Sequence, residues 1–97
     1  MSELLDRALE VIRAERPRAR QLGAEIVGVV GSVARGEERP ESDVDVIIRN
    51  LGGLTFFKMA EIEFALEAGI GRPIDLVLSD GMEPHRKRFI ERDLVPA

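Results

Sequence analysis

A small α/β (α+β) domain, with a mixed three-stranded sheet packed by helices, is predicted by three features of these 97 residues. Three short runs rich in β-branched residues, 25–30, 43–48 and 73–78, are bounded by glycine, proline or polar residues and are too short for helices. Apolar residues recur at helical spacing before, between and after them. The length allows one domain, 1–97, and burial of about two-thirds of the unfolded surface, so there is one small core and a large substrate must be completed by a partner.

The first segment reads as a helix because Leu4, Leu5, Ala8, Leu9 and Ile12 repeat at helical spacing, with Ser2 as its N-cap. Pro17 removes a backbone donor, which predicts a break near Glu15 and a second short helix from Pro17 to Leu22, ended by Gly23. Residues 1–16 are thus expected to be a helical extension, available for assembly, on a core of 17–97. Glu25 to Val30 is the first strand. Gly31-Ser32-Val33-Ala34-Arg35-Gly36 is a turn entering a short helix, and 37–42 is a polar loop. The second strand is Asp43 to Ile48. Asn50-Leu51-Gly52-Gly53 turns the chain into a helix whose Phe57, Ala60, Phe64 and Ala68 share one face, closed by Gly69 and Gly71. On this reading Phe56, Phe57 and Phe64 belong to the core. Pro73 to Leu78 is the third strand, and a last helix holds Phe89, Ile90 and Leu94.

Composition excludes several kinds of chemistry. There is no cysteine, hence no disulfide, thiolate metal site or thiol nucleophile, and the chain suits a reducing compartment, the cytoplasm by default. No apolar run approaches the ~20 residues that span a bilayer, and Glu3 and Asp6 stand where a signal peptide would be basic. The net charge is −4, and residues 23–81 alone hold eleven acids against five bases. Such a centre repels a phosphate backbone and argues against a nucleic-acid groove, while it attracts divalent cations.

The acids that matter begin the second strand. Alternation along a strand puts Asp43, Asp45 and Ile47 on one face and Val44, Val46 and Ile48 on the other, so two carboxylates come close enough to chelate one hard cation. Asp75 interrupts an apolar strand, where Asp is disfavoured; if the second and third strands are neighbours, it joins Asp43 and Asp45 around Mg²⁺, the arrangement metal-assisted phosphoryl or nucleotidyl transfer requires. Taken singly, each acid has an ordinary role: Asp43 starting a strand, Asp45 facing solvent, Asp75 pairing with Arg72. The preceding turn shifts the balance, because Gly31-Ser32 at a strand-to-helix junction offers backbone N–H groups and a hydroxyl to phosphate oxygens. Glu37 stands where a P-loop requires Lys, Gly28, Gly31 and Gly36 miss the dinucleotide spacing, and Val46 and Ile47 exclude an EF-hand.

Gly31-Ser32, ten residues, then Asp43-Val44-Asp45, with Asp75 on a later strand, resembles the signature of the nucleotidyltransferase superfamily that includes DNA polymerase beta. The string GSVARGEERPESDVDVII looks most like the minimal nucleotidyltransferases, the MNT-domain antitoxins paired with HEPN-domain toxins. The resemblance implies that Gly31 and Ser32 hold the triphosphate of ATP, that Asp43 and Asp45 bind Mg²⁺, and that Asp75 completes the metal site and helps activate the acceptor hydroxyl. It further implies transfer of AMP to a tyrosine hydroxyl of a HEPN toxin, in a hetero-oligomer. Arg35 either faces the phosphates or pairs with Glu37 or Glu38. The alternative is an antitoxin that blocks the toxin sterically with an idle site; modification of small molecules needs a further domain to hold them. His85 and the basic run Arg86-Lys87-Arg88 read as solvated surface of the last helix.

Overall fold

The structure, a computed structural model, describes residues 2–97. The elements follow in the order α1 (Glu3–Gln21), β1 (Ala24–Val30), α2 (Gly31–Arg35), β2 (Val44–Asn50), α3 (Phe56–Ile70), β3 (Ile74–Leu78), α4 (Pro84–Glu91) and β4 (Val95–Pro96). The sheet is mixed, in the order β3-β2-β1-β4: β1 runs antiparallel to β2 and β4, and β2 runs parallel to β3 across the α3 crossover. Leu4, Leu5, Leu9 and Ile12 of α1 and Ile62, Leu66 and Ile70 of α3 close over Val44, Val46 and Ile48 of β2. Each such side chain contributes about 1.5–3 kcal/mol by leaving water. Alternation along β2 thus holds as expected: Val44, Val46 and Ile48 enter the core, and Asp45 lies on the opposite face.

The sheet has four strands where three were expected. β4 is two residues long and contains a proline, so it has no periodicity to read. Its trace is Gly28, where a Cβ would collide with the Val95 carbonyl of β4. A register shift in β1 between Ile26 and Gly28 also lets Ile26 and Val29, three residues apart, both face the core.

The expected break at Pro17 does not occur. α1 is one helix through Gln21, capped at its start by Ser2, whose Oγ accepts from the Leu5 N–H at 3.0 Å. Pro17 removes the bond to the Arg13 carbonyl, but both residues lie on the exposed side of α1, where water can replace it. On either side of the proline the helix is held by buried Ala19 and by Arg16, whose Nη2 donates to the carbonyls of Ala97 at 2.7 Å and Ile26 at 3.3 Å. Tertiary contacts outweigh the local penalty, and residues 3–12 supply core side chains, so residue 16 marks no structural boundary.

α3 presents the opposite face from the one expected. Phe57, Ala60, Phe64 and Ala68 do share a face, but it is the outer one: Phe56, Phe57 and Phe64 are 81%, 85% and 76% exposed. α3 is apolar on two sides and the sheet covers one, which falls to Ile62, Leu66 and Ile70. Gly69 lies within this helix, where a Cβ would come within 2.7 Å of Val11 Cγ1 on α1; the left-handed Gly71, φ 80°, is the cap. α4 ends at Glu91, so Leu94 belongs to the segment leading into β4.

Replacing Pro17 with Ala restores the missing donor in an already formed helix. The expected result is a gain of about 1–3 kcal/mol in unfolding free energy, read as a higher urea midpoint with an unchanged slope.

Candidate active site

The site is assembled by strand register. In the parallel pair, Asp45 of β2 stands directly beside Asp75 of β3. In the antiparallel pair, Asp45 stands beside Val30, the last residue of β1, so the chain must turn away at Gly31 immediately above the carboxylate. Gly31 adopts φ 76°, in the left-handed region that favours glycine, and a Cβ there would strike the Asp45 carboxylate. Gly31 and Ser32 open α2, whose first N–H groups have no intrahelical acceptor and whose N-cap, Val30, provides no capping side chain.

Asp43 lies one residue before β2 and is exposed. The loop carrying it is held from the α3–β3 turn. Arg72 does not pair with Asp75; its Nη2 donates to the carbonyls of Arg39 at 2.9 Å and Ser42 at 2.6 Å. The Ser42 hydroxyl accepts from the Arg39 N–H at 2.8 Å, and the Val44 N–H donates to the Pro73 carbonyl at 2.9 Å. Two acid-bearing segments, 39–43 and 72–75, are therefore tied together by groups that carry no negative charge.

Burial raises the proton affinity of Asp45 above the ordinary carboxylate range, and the charges of Asp75 and Asp43 push it further, against a smaller pull from Arg35. A half-buried carboxylate with two acidic neighbours suits a hard cation, since all the donors are carboxylate oxygens. As they stand, no three acidic or histidine side chains among the described residues converge closely enough to hold an ion. Asp43 and Asp75, both exposed, would have to change rotamer to join Asp45 on one.

Gly31, Arg35, Asp45 and Asp75 line one open recess of about 240 Å³; Ser32 and Asp43 flank it without lining it. Arg35 is committed to ion pairs, Nε to Glu37 at 3.1 Å and Nη1 to Asp93 at 3.1 Å. The remaining wall includes Arg86, Phe89 and Ile90 of α4, none of which the sequence reading placed in a site. Their i, i+3, i+4 spacing was a legible signal of a shared face, masked by the adjoining Lys87 and Arg88.

Two outcomes follow from this geometry. Gly31→Ala must strain the backbone and displace Asp45, at about 1–3 kcal/mol in urea unfolding, with part of the loss recovered when Asp45→Ala is added. Asp45→Asn should act in the other direction. Because the folded state raises the Asp45 pKa, the ionised carboxylate opposes folding at neutral pH, and that penalty fades as pH falls from the raised folded value toward the unfolded value of about 3.9, below which it is gone. In metal-free buffer the variant should melt a few degrees above wild type at pH 7, with the gap closing toward pH 3; a lower melting temperature at pH 7 would contradict the assigned electrostatics.

Comparison with known proteins identifies the family. The family model of the nucleotidyltransferase domain matches residues 8–96. The chain is 29% identical to protein adenylyltransferase MntA of Thermococcus cleftensis over 92 residues, covering 94% of this chain and 93% of that one. It is 31% identical over 70 residues to a provisionally named protein adenylyltransferase of Methanocaldococcus jannaschii, covering 71% of each. A solved structure, provisionally named a minimal nucleotidyltransferase, superposes with a TM-score of 0.73 at 35% identity, over 92% of this chain and 95% of that one. With the family model matching nearly the whole chain and the fold shared with that solved structure, the chain belongs to the nucleotidyltransferase domain family, as a minimal member of it.

Proposed function

We propose that this chain transfers AMP from ATP, with Mg²⁺, to a tyrosine hydroxyl of a partner HEPN-domain toxin, and so acts as its antitoxin. The observation that carries the reading is the Asp45 carboxylate lying against the Gly31 backbone with Asp75 in register beside it. In this reading the N–H groups of Gly31 and Ser32 hold the triphosphate, and Asp43, Asp45 and Asp75 hold the cation. Bound there, Mg²⁺ supplies positive charge against the phosphates and the departing pyrophosphate. The acceptor oxygen attacks the α-phosphorus in line; its bond to phosphorus forms as the bond to the β-phosphate oxygen breaks. Asp75, the more exposed of the two strand acids, receives the hydroxyl proton or passes it to water.

A protein acceptor is supported by the surface beside the site. A shallow groove lined by Phe56, Met59, Ala60 and Glu63 of α3 reaches Asp75 and Leu76 on the edge strand β3, so a partner seated on the aromatic side of α3 would present its hydroxyl at Asp75. Two relatives are named protein adenylyltransferases, which points the same way. A second reading, a binding antitoxin with an idle site, is favoured by the same exposed phenylalanines and by the carboxylates that do not converge.

The two readings part in the intact mass of the adjacent-gene HEPN protein after incubation with this chain, ATP and Mg²⁺. Transfer predicts gain of one or more AMP units with wild type, and loss of that gain by at least about a hundredfold in rate with Asp43→Asn/Asp45→Asn, since metal neutralisation is worth several kcal/mol. An unchanged mass with the two proteins still co-purifying would leave the binding reading alone.

A further inference from the structure

We propose that α4 forms part of the nucleotide site, with Arg86 binding the triphosphate and Phe89 the base; the inference rests on the nucleotidyl-transfer reading above. α4 contributes no buried residue to the core, yet Arg86, Phe89 and Ile90 on one of its faces line the same recess as Gly31, Asp45 and Asp75. The helix is ordered locally at its start and tied to α2 just past its end. Glu83 caps its start, accepting from the N–H groups of His85 at 2.9 Å and Arg86 at 3.1 Å. Beyond its end, Asp93 pairs with Arg35 at 3.1 Å.

The charges select the occupant. Arg35 is neutralised by Glu37 and Asp93, and Arg88 turns to His85 Nδ1 at 3.3 Å. Among the described residues the Arg86 guanidinium makes no ion pair, although it lines a recess with two carboxylates. An arginine and acids that share a recess without closing on one another leave room for a group bearing both signs of charge. A polyphosphate chelating a divalent cation is such a group: the cation faces the acids and the anionic oxygens face the guanidinium, which binds phosphate through several donors at once.

Phe89 supplies the remaining half. It is 68% exposed, and of the four phenylalanines it alone lines this recess. A ring left uncovered beside a phosphate-binding cation offers a stacking face to a nucleobase. Because every base has a π-face, that contact raises affinity without choosing among bases.

The test is calorimetric binding, with Mg²⁺ and no acceptor protein, of two probes: α,β-methylene-ATP, which cannot transfer its AMP, and inorganic tripolyphosphate. Wild type should bind both. Arg86→Gln should weaken both by about tenfold or more. Phe89→Ala, and Phe89→Leu which keeps the bulk without the ring, should weaken the nucleotide by about tenfold and leave tripolyphosphate unchanged. Lys87→Gln, which does not line the recess, should match wild type. Variants of Arg86 and Phe89 that bind both probes as wild type does would overturn the inference, as would an equal loss in Lys87→Gln, which would reduce the effect to net charge. A wild type that binds neither probe would instead sink the nucleotidyl-transfer reading, and this inference with it.

Discussion

The contact on which the rest of the site depends is the one between the Gly31 backbone and the Asp45 carboxylate. It exists because β1 and β2 pair antiparallel with Val30 beside Asp45, so the chain leaving β1 must turn across the end of β2. A glycine at φ 76° is the residue that makes the turn there without a Cβ in the way. One register thereby brings the start of α2, with its unpaired N–H groups, and a carboxylate to the same point. Unpaired backbone N–H groups and a carboxylate become neighbours through backbone geometry, before any side chain reaches for either.

That arrangement concentrates negative charge. Asp45 is partly desolvated beside two further acids, which the pull of Arg35 offsets only in part. The surrounding structure compensates by immobilising the backbone around the acids with neutral acceptors. Arg72 grips main-chain carbonyls of the loop before β2 instead of a carboxylate, which leaves the acids available to a cation. An arginine paired with Asp75 would have been more comfortable for the apo protein and would have competed with metal. Natural proteins often leave sites strained in this way, because charges that serve function oppose folding.

The helices divide the remaining work. α1 and the inner side of α3 form the core, which is why α1 survives an internal proline: the Arg16 bonds to the Ile26 and Ala97 carbonyls and buried Ala19 dock the helix on either side of it. The outer side of α3 keeps its phenylalanines in solvent, and Phe56 among them lines the groove that ends at Asp75. α4 serves neither the core nor the sheet, and faces the recess instead. No helix of the protein is long and apolar enough to cross a membrane among the described residues.

The alternation of Asp43-Val44-Asp45-Val46, the bounded β-branched runs and the Gly31-Ser32 junction were legible from the sequence because they depend on neighbours along the chain: period two in a strand, steric freedom at a glycine. From them came the mixed α/β fold, the face on which Asp45 lies and the residues around which the recess is built. What only the tertiary structure decided involved competition between distant segments. Whether Pro17 broke a helix depended on where Ala19 and Arg16 could dock. Which of two apolar faces of α3 was buried depended on the one sheet face available to cover it. A strand as short as β4 formed only because Gly28 left space for it. Arg86 and Phe89 line the recess with the acids because the segment after α4 is tied through Asp93 to Arg35 of α2. Local sequence carries periodicity and backbone freedom; it does not carry the outcome when two segments compete for the same surface.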